Sequence, residues 1–176
     1  MKTLILTWQG FQDQEVIYPY HRLREEGTVD IMANVVGPIK GILGVTMDSS
    51  FAVAELNDKA SYADFLARYD MLVIPGGVKA LEKLRQERVA LQFVYDWNAA
   101  GKTIASTCHG AQLMISAKVV EGRKISGYYS IRDDIQNAGA TYVDAPAVTA
   151  GNIVSSPHYK WMAEWLQEAV RVYDAA

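Results

Sequence analysis

The sequence predicts an α/β fold, a mostly parallel sheet with helices on both faces, built as one domain over residues 1–176. Three observations predict it. Apolar segments of strand length alternate with segments of helical periodicity along the chain. Several of those strand segments are apolar at every position, as strands buried on both faces must be. The chain has 176 residues, 50% hydrophobic and 21% charged, enough for one sizeable core and ordinary for a water-soluble domain.

The elements follow in order. Thr3 to Trp8 reads as a buried strand. Asp13 is placed to cap a helix running to about Glu26, which Gly27 ends. Val29 to Val35 is the next strand, and Gly37 to Leu56, with scattered Gly and Pro, reads as irregular or hairpin structure. Ser61 caps a short helix through Tyr69, and Met71 to Ile74 is an apolar strand that stops at Pro75-Gly76-Gly77. One long amphipathic helix is expected over about Lys79 to Ala100, with Gly101 as its C-cap. A strand, Thr103-Ile104-Ala105, then leads into Ser106-Thr107-Cys108-His109-Gly110 and a helical run from Ala111. Ile131 to Ala138 is a short helix. Thr141 to Val143 and Ile153-Val154 are short strands around the turn at Ala150-Gly151-Asn152, and the last helix runs from about His158 to Tyr173.

Composition excludes several functions. A net charge of −3 gives no footprint for nucleic acid or an anionic membrane. One cysteine forms no intramolecular disulfide and no Cys-rich zinc site, and three scattered histidines suggest no metal motif. No stretch has the length of a signal peptide or membrane span. A cytoplasmic protein with no metal and no cofactor is the expectation.

The single cysteine carries the chemistry. Ser106 and Gly110 are small residues two positions either side of Cys108, the spacing a nucleophile needs on a sharp strand-to-helix turn. The amides and positive dipole end of the following helix are expected to favour thiolate, with His109 beside it as a base. In a parallel sheet, ligands gather at the carboxyl ends of strands. Three of those ends hold the turn before Glu15, the Gly76-Gly77 loop, and Cys108-His109.

These segments resemble the DJ-1/PfpI (ThiJ) superfamily, most closely its PfpI intracellular-protease branch. The matching stretches are Phe11 to Glu15 with Ile17 to Leu23, Leu72 to Gly77, Cys108 to Gln112, Gly122-Arg123-Lys124 and Ile131 to Ala140. The resemblance implies a flavodoxin-like three-layer sandwich with Cys108 as the reactive cysteine and His109 as its neighbouring base. It implies that Glu15 hydrogen-bonds the sulfur, and burial beside a thiolate would keep that carboxyl protonated. Gly76 and Gly77 become oxyanion donors, and Glu82 the carboxylate brought to the histidine by a neighbouring subunit, in a register one residue longer than the branch pattern. Tyr128 lines the pocket, and His158 is a candidate substrate contact.

Three departures from the branch are visible. Val78 stands where Arg usually follows the glycine pair. Ser155 to Trp161 replaces a Ser-Ser-Arg-x-Pro-x-Asp motif. Trp8 and Gln12 are unusual near the expected pocket.

The resemblance implies an enzyme acting on a carbonyl or amide-like carbon of a small-molecule or peptide substrate, with glyoxalase or deglycase chemistry ahead of peptidase. A specialised biosynthetic hydrolase or lyase is a further reading. An oxidation sensor or holding chaperone, acting through Cys108, is the reading from another class. Partners are a second copy of the chain, as homodimer or hexamer, with no nucleic acid and no membrane.

Overall fold

A computed structural model describes residues 1–176. The chain folds as β1 (Lys2–Leu6), α1 (Asp13–Leu23), β2 (Thr28–Ala33), β3 (Gly37–Lys40), β4 (Thr46–Ser49), β5 (Phe51–Ala52), α2 (Lys59–Arg68), β6 (Met71–Ile74), α3 (Val78–Leu84) and α4 (Arg88–Ala99). It continues as β7 (Thr103–Thr107), α5 (Ala111–Ser116), β8 (Lys124–Ile125), α6 (Arg132–Asn137), β9 (Thr141–Tyr142), β10 (Val148–Ala150), β11 (Ile153–Ser156) and α7 (Met162–Asp174). Seven strands form the main sheet in the order β10-β11-β7-β6-β1-β2-β5. Every pairing in it is parallel except the β10-β11 edge hairpin.

The predicted fold class is the observed one. Every residue of β6 and β7 is buried, which explains their unbroken apolar or small character. Trp97 of α4 and Trp165 of α7 are fully buried. Their indole N–H groups donate to the carbonyls of Thr103 and Val154, so neither ring strands a polar atom in the core.

The sheet order places the site. From β1 the chain crosses to β2 on one side, whereas β6, β7 and β11 continue on the other. The β1/β6 boundary is therefore a switch point, and a crevice opens at the carboxyl ends there. The chain leaving β1 leads to Glu15 in the first turn of α1, and the chain leaving β6 and β7 leads directly to Gly76-Gly77 and Cys108.

Four local expectations are corrected. The helix expected over 79–100 is two helices, broken at Arg85–Glu87. The buried stripe Ala80, Leu81, Leu84 would continue at positions 87 and 88, which are Glu and Arg; apolar burial resumes out of phase at Ala90. Asp13 does not cap α1. It lies inside the first turn, buried, and its carboxylate accepts the N–H groups of Leu43 (2.8 Å) and Val45 (2.9 Å) in the β3-β4 loop. Asp58, rather than Ser61, caps α2, accepting both the N–H and hydroxyl of Ser61. The strand facing Ile153–Ser156 across the Gly151 turn is Val148–Ala150, while Thr141–Tyr142 pairs with β8 in a separate two-stranded sheet.

Candidate active site

Cys108 sits at the end of β7 with φ of 56°, a left-handed conformation that is rare for a residue with a side chain. The turn is affordable only with small neighbours. Ser106 is buried, and Gly110 lies so close to it and to the Ile74 carbonyl that a Cβ there would collide with both. The carbonyl of Cys108 accepts the N–H of Tyr128 at 3.1 Å, which ties the elbow to the following loop. Cys108 is 7% exposed.

Glu15 is completely buried in the first turn of α1. Its Oε2 accepts the Gly76 N–H at 2.6 Å. Its Oε1 has no oxygen or nitrogen partner, and the Cys108 thiol lies alongside the carboxyl group. Burial is the main cause that raises the Glu15 pKa from 4.5 to about 7; the Gly76 amide and the thiol oppose it. A Cβ on Gly76 would lie 2.5 Å from Glu15 Oε2 and 2.8 Å from the Cys108 Cβ, so only glycine lets these two groups meet.

The pair bears on two expectations. The Gly76 amide donates to Glu15 Oε2. The N–H of His109, at the turn into the following helix, favours the thiolate as expected, but burial outweighs it. Burial first, and then the charge of an ionised Glu15, push the Cys108 thiol up, while the N–H groups of His109 and Gly77 pull it the other way. An ionised Glu15 thus disfavours a thiolate beside it. With Glu15 protonated, its O–H can donate to sulfur, and the two amides face the negative charge.

His109 is 8% exposed, with Nδ1 3.3 Å from the Cys108 sulfur and Nε2 3.4 Å from the Ser130 hydroxyl. Burial lowers its pKa, so it is neutral at pH 7 and free to accept a proton. Ser130 escaped the sequence reading because no spacing links it to position 109. Glu82 is exposed on α3, and its carboxylate forms no ion pair with His109 within the chain.

A cleft of about 320 Å³ opens above the thiol. It brings together Gln12, Ile42, Gly77, Val78, Cys108, His109, Tyr128, His158 and Tyr159. Of the sequence departures, Val78, His158 and Gln12 line it, whereas Trp8 packs against the core instead. Tyr159 comes from the Ser155 to Trp161 departure, and Ile42 was not anticipated. Ile42 arrives through the Asp13-anchored loop, where its N–H also donates to the Phe11 carbonyl at 2.9 Å. No group of three or more His, Cys, Asp or Glu side chains is gathered to hold a metal ion. No helix is long and apolar enough to cross a membrane. The arrangement can do nucleophilic chemistry on a small carbonyl: a buried thiol, an acid beside it, a neutral imidazole and two aimed amides.

Comparison with known proteins gives a consistent picture. Residues 1–172 match the DJ-1/PfpI family. The protein named deglycase TK1284 from Thermococcus kodakarensis is 41% identical over 172 residues, covering 95% of this chain and 98% of its own length. Deglycase PfpI from Pyrococcus furiosus is 40% identical over 172 residues, with the same coverage. Among solved structures, a two-domain protein from Anabaena variabilis, with DJ-1/ThiJ/PfpI-like and ferritin-like domains, superposes with a TM-score of 0.87 at 28% identity. That match covers 97% of this chain and 47% of the other, so this chain spans about half of that longer protein.

Proposed function

The chain belongs to the DJ-1/PfpI family, and from that premise we propose that it performs cysteine-based glyoxalase and deglycase chemistry on α-oxoaldehydes and their adducts with amines. The observation that carries this reading is the buried Glu15 carboxyl held by the Gly76 amide beneath the Cys108 thiol, which itself lines a small cleft. Relatives about 40% identical over nearly the whole chain carry the name deglycase, which supports the same chemistry. We also assign the chain to the PfpI branch, supported by its likeness to the Pyrococcus furiosus protein.

The Cys108 thiolate adds to the aldehyde carbon of methylglyoxal. A carbon–sulfur bond forms, the carbonyl π pair moves to oxygen, and the N–H groups of Gly77 and His109 face that oxygen until it is protonated. His109 removes the C1 proton of the hemithioacetal, and a proton returns at C2. C1 is thereby oxidised to a thioester while the C2 ketone is reduced to an alcohol. Water cleaves the thioester, giving lactate and the free thiol. Glu15 supplies the proton that the oxygen needs and holds the thiolate by a hydrogen bond. A carbinolamine equilibrates with free aldehyde and amine, so capture of the aldehyde draws the amine free. Tyr128 and His158 contact the substrate. Glu82 of a neighbouring subunit completes the orientation of His109 in a homo-oligomer.

The test is lactate formation from methylglyoxal, and amine release from methylglyoxal–amine adducts, by wild type and Cys108→Ala. Loss of both by at least about 1,000-fold is expected when the nucleophile is removed. Activity that survives in Cys108→Ala overturns the mechanism. Turnover of peptides but not glyoxals by the wild type overturns the substrate class in favour of a peptidase.

A further inference from the structure

The cleft above Cys108 has an unusual lining for a site that handles small polar carbonyls. Aromatic rings climb from the thiol to the mouth. His109 stacks on Tyr128 with centroids 4.8 Å apart, Tyr128 faces His158 at 5.9 Å and 27° between planes, and His158 meets Tyr159 at 3.9 Å. His158 is held in place, because its Nδ1 accepts the Lys160 N–H at 3.2 Å. The outermost ring, Tyr159, is 40% exposed, and Ile42 and Val78 complete the rim as exposed aliphatic side chains.

Charge is equally one-sided. No lysine or arginine lines the cleft. Its two imidazoles are held toward their neutral forms by burial, and His158 also by the charge of Lys160. The nearest acid, Glu15, lies beneath the thiol and adds negative charge whenever it ionises. An anionic substrate would lose its hydration here and find no cation among the lining residues. A planar uncharged group would exchange water for ring faces.

We propose that the cleft selects uncharged α-oxoaldehydes carrying an aromatic substituent, stacked along Tyr128, His158 and Tyr159, and rejects anionic ones. The inference rests on the glyoxalase reading and names the substrate class within it. The reacting aldehyde sits at Cys108, and the ring attached to the adjacent ketone extends up the ladder.

The experiment compares kcat/KM for methylglyoxal, phenylglyoxal and 4-carboxyphenylglyoxal. These separate the reacting group, the ring, and the ring with a charge. The wild type should favour phenylglyoxal over methylglyoxal by about tenfold, and the carboxylated ring should lose most of that advantage. Tyr159→Ala and His158→Ala should each lower the phenylglyoxal value several-fold more than the methylglyoxal value, and Tyr159→Phe should restore the preference. Val78→Arg should raise 4-carboxyphenylglyoxal relative to phenylglyoxal. A phenylglyoxal-to-methylglyoxal ratio that none of the ring variants changes overturns this inference alone. No turnover of any of the three by the wild type overturns it together with the reading beneath it.

Discussion

A carboxyl group with no solvent exposure and one backbone donor is expensive to ionise, and Glu15 is in that position. Its pKa near 7 sets the sign of its contribution to stability. Between pH 4.5 and 7 the folded chain holds a proton on Glu15 that the unfolded chain has released, so stability falls as pH rises through that window. The full loss is on the order of 3 kcal/mol, reached once pH passes the folded pKa. Glu15→Gln keeps the shape and removes the titration. Thermal melts from pH 4 to 8 should therefore show the wild type losing stability relative to Glu15→Gln across this range. Parallel curves would mean that Glu15 is not buried as an acid. The same substitution removes the proton donor, and kcat should drop by about 100-fold or more. At this scale the neighbours Cys108 and His109 were legible in the sequence, because an elbow is written in five consecutive residues. The bond from Gly76 to Glu15 was not, since only the fold brings this amide to a carboxylate 61 positions away.

At the scale of elements, the site depends on a hairpin that has no chemistry of its own. Beside the Ile42 N–H bond to the Phe11 carbonyl, Asp13 reaches into the loop joining β3 to β4 and accepts two of its N–H groups. These are charge-assisted bonds to a buried carboxylate, each worth about 1.5–3 kcal/mol. Asp13→Asn preserves size but can turn an NH2 group toward one of the two donors. A loss of about 2 kcal/mol is expected, or ~4–8 °C in Tm for a chain of this length. Faster hydrogen exchange at the amides of Leu43 and Val45 should accompany it, and unchanged exchange there would refute the clamp. The sequence presents Asp13 as a helix-start residue, which is a sound local reading. Burial under the hairpin overrides it, and nothing in the linear pattern encodes that approach. The break between α3 and α4 is different. Its phase slip was visible at Glu87 and Arg88, where an uninterrupted helix would have needed apolar residues. The alternation of the central strands with helices, by contrast, was readable, because strands buried on both faces have few ways to be written.

At the scale of the molecule, His109 raises the question of whether one chain is enough. Within the chain its outer nitrogen has only the Ser130 hydroxyl, at 3.4 Å, and no carboxylate. Glu82 stands exposed on α3 without an ion-pair partner. The orienting role proposed for Glu82 is one exercised across a subunit boundary, and that makes a sharp prediction. Glu82→Ala should lower kcat by about tenfold or more while leaving the melting temperature near the wild-type value, since an exposed side chain contributes little to the fold. Cys108→Ala should be inactive. If the two groups serve one site from different chains, mixing the two variants and allowing subunits to exchange should restore wild-type pairing at about a quarter of the sites. If Glu82 acted only within its own chain, no mixture could exceed the average of its components. A monomer at assay concentration by light scattering would leave Ser130 as the only group to orient His109, and Ser130→Ala would then carry the loss that Glu82→Ala does not.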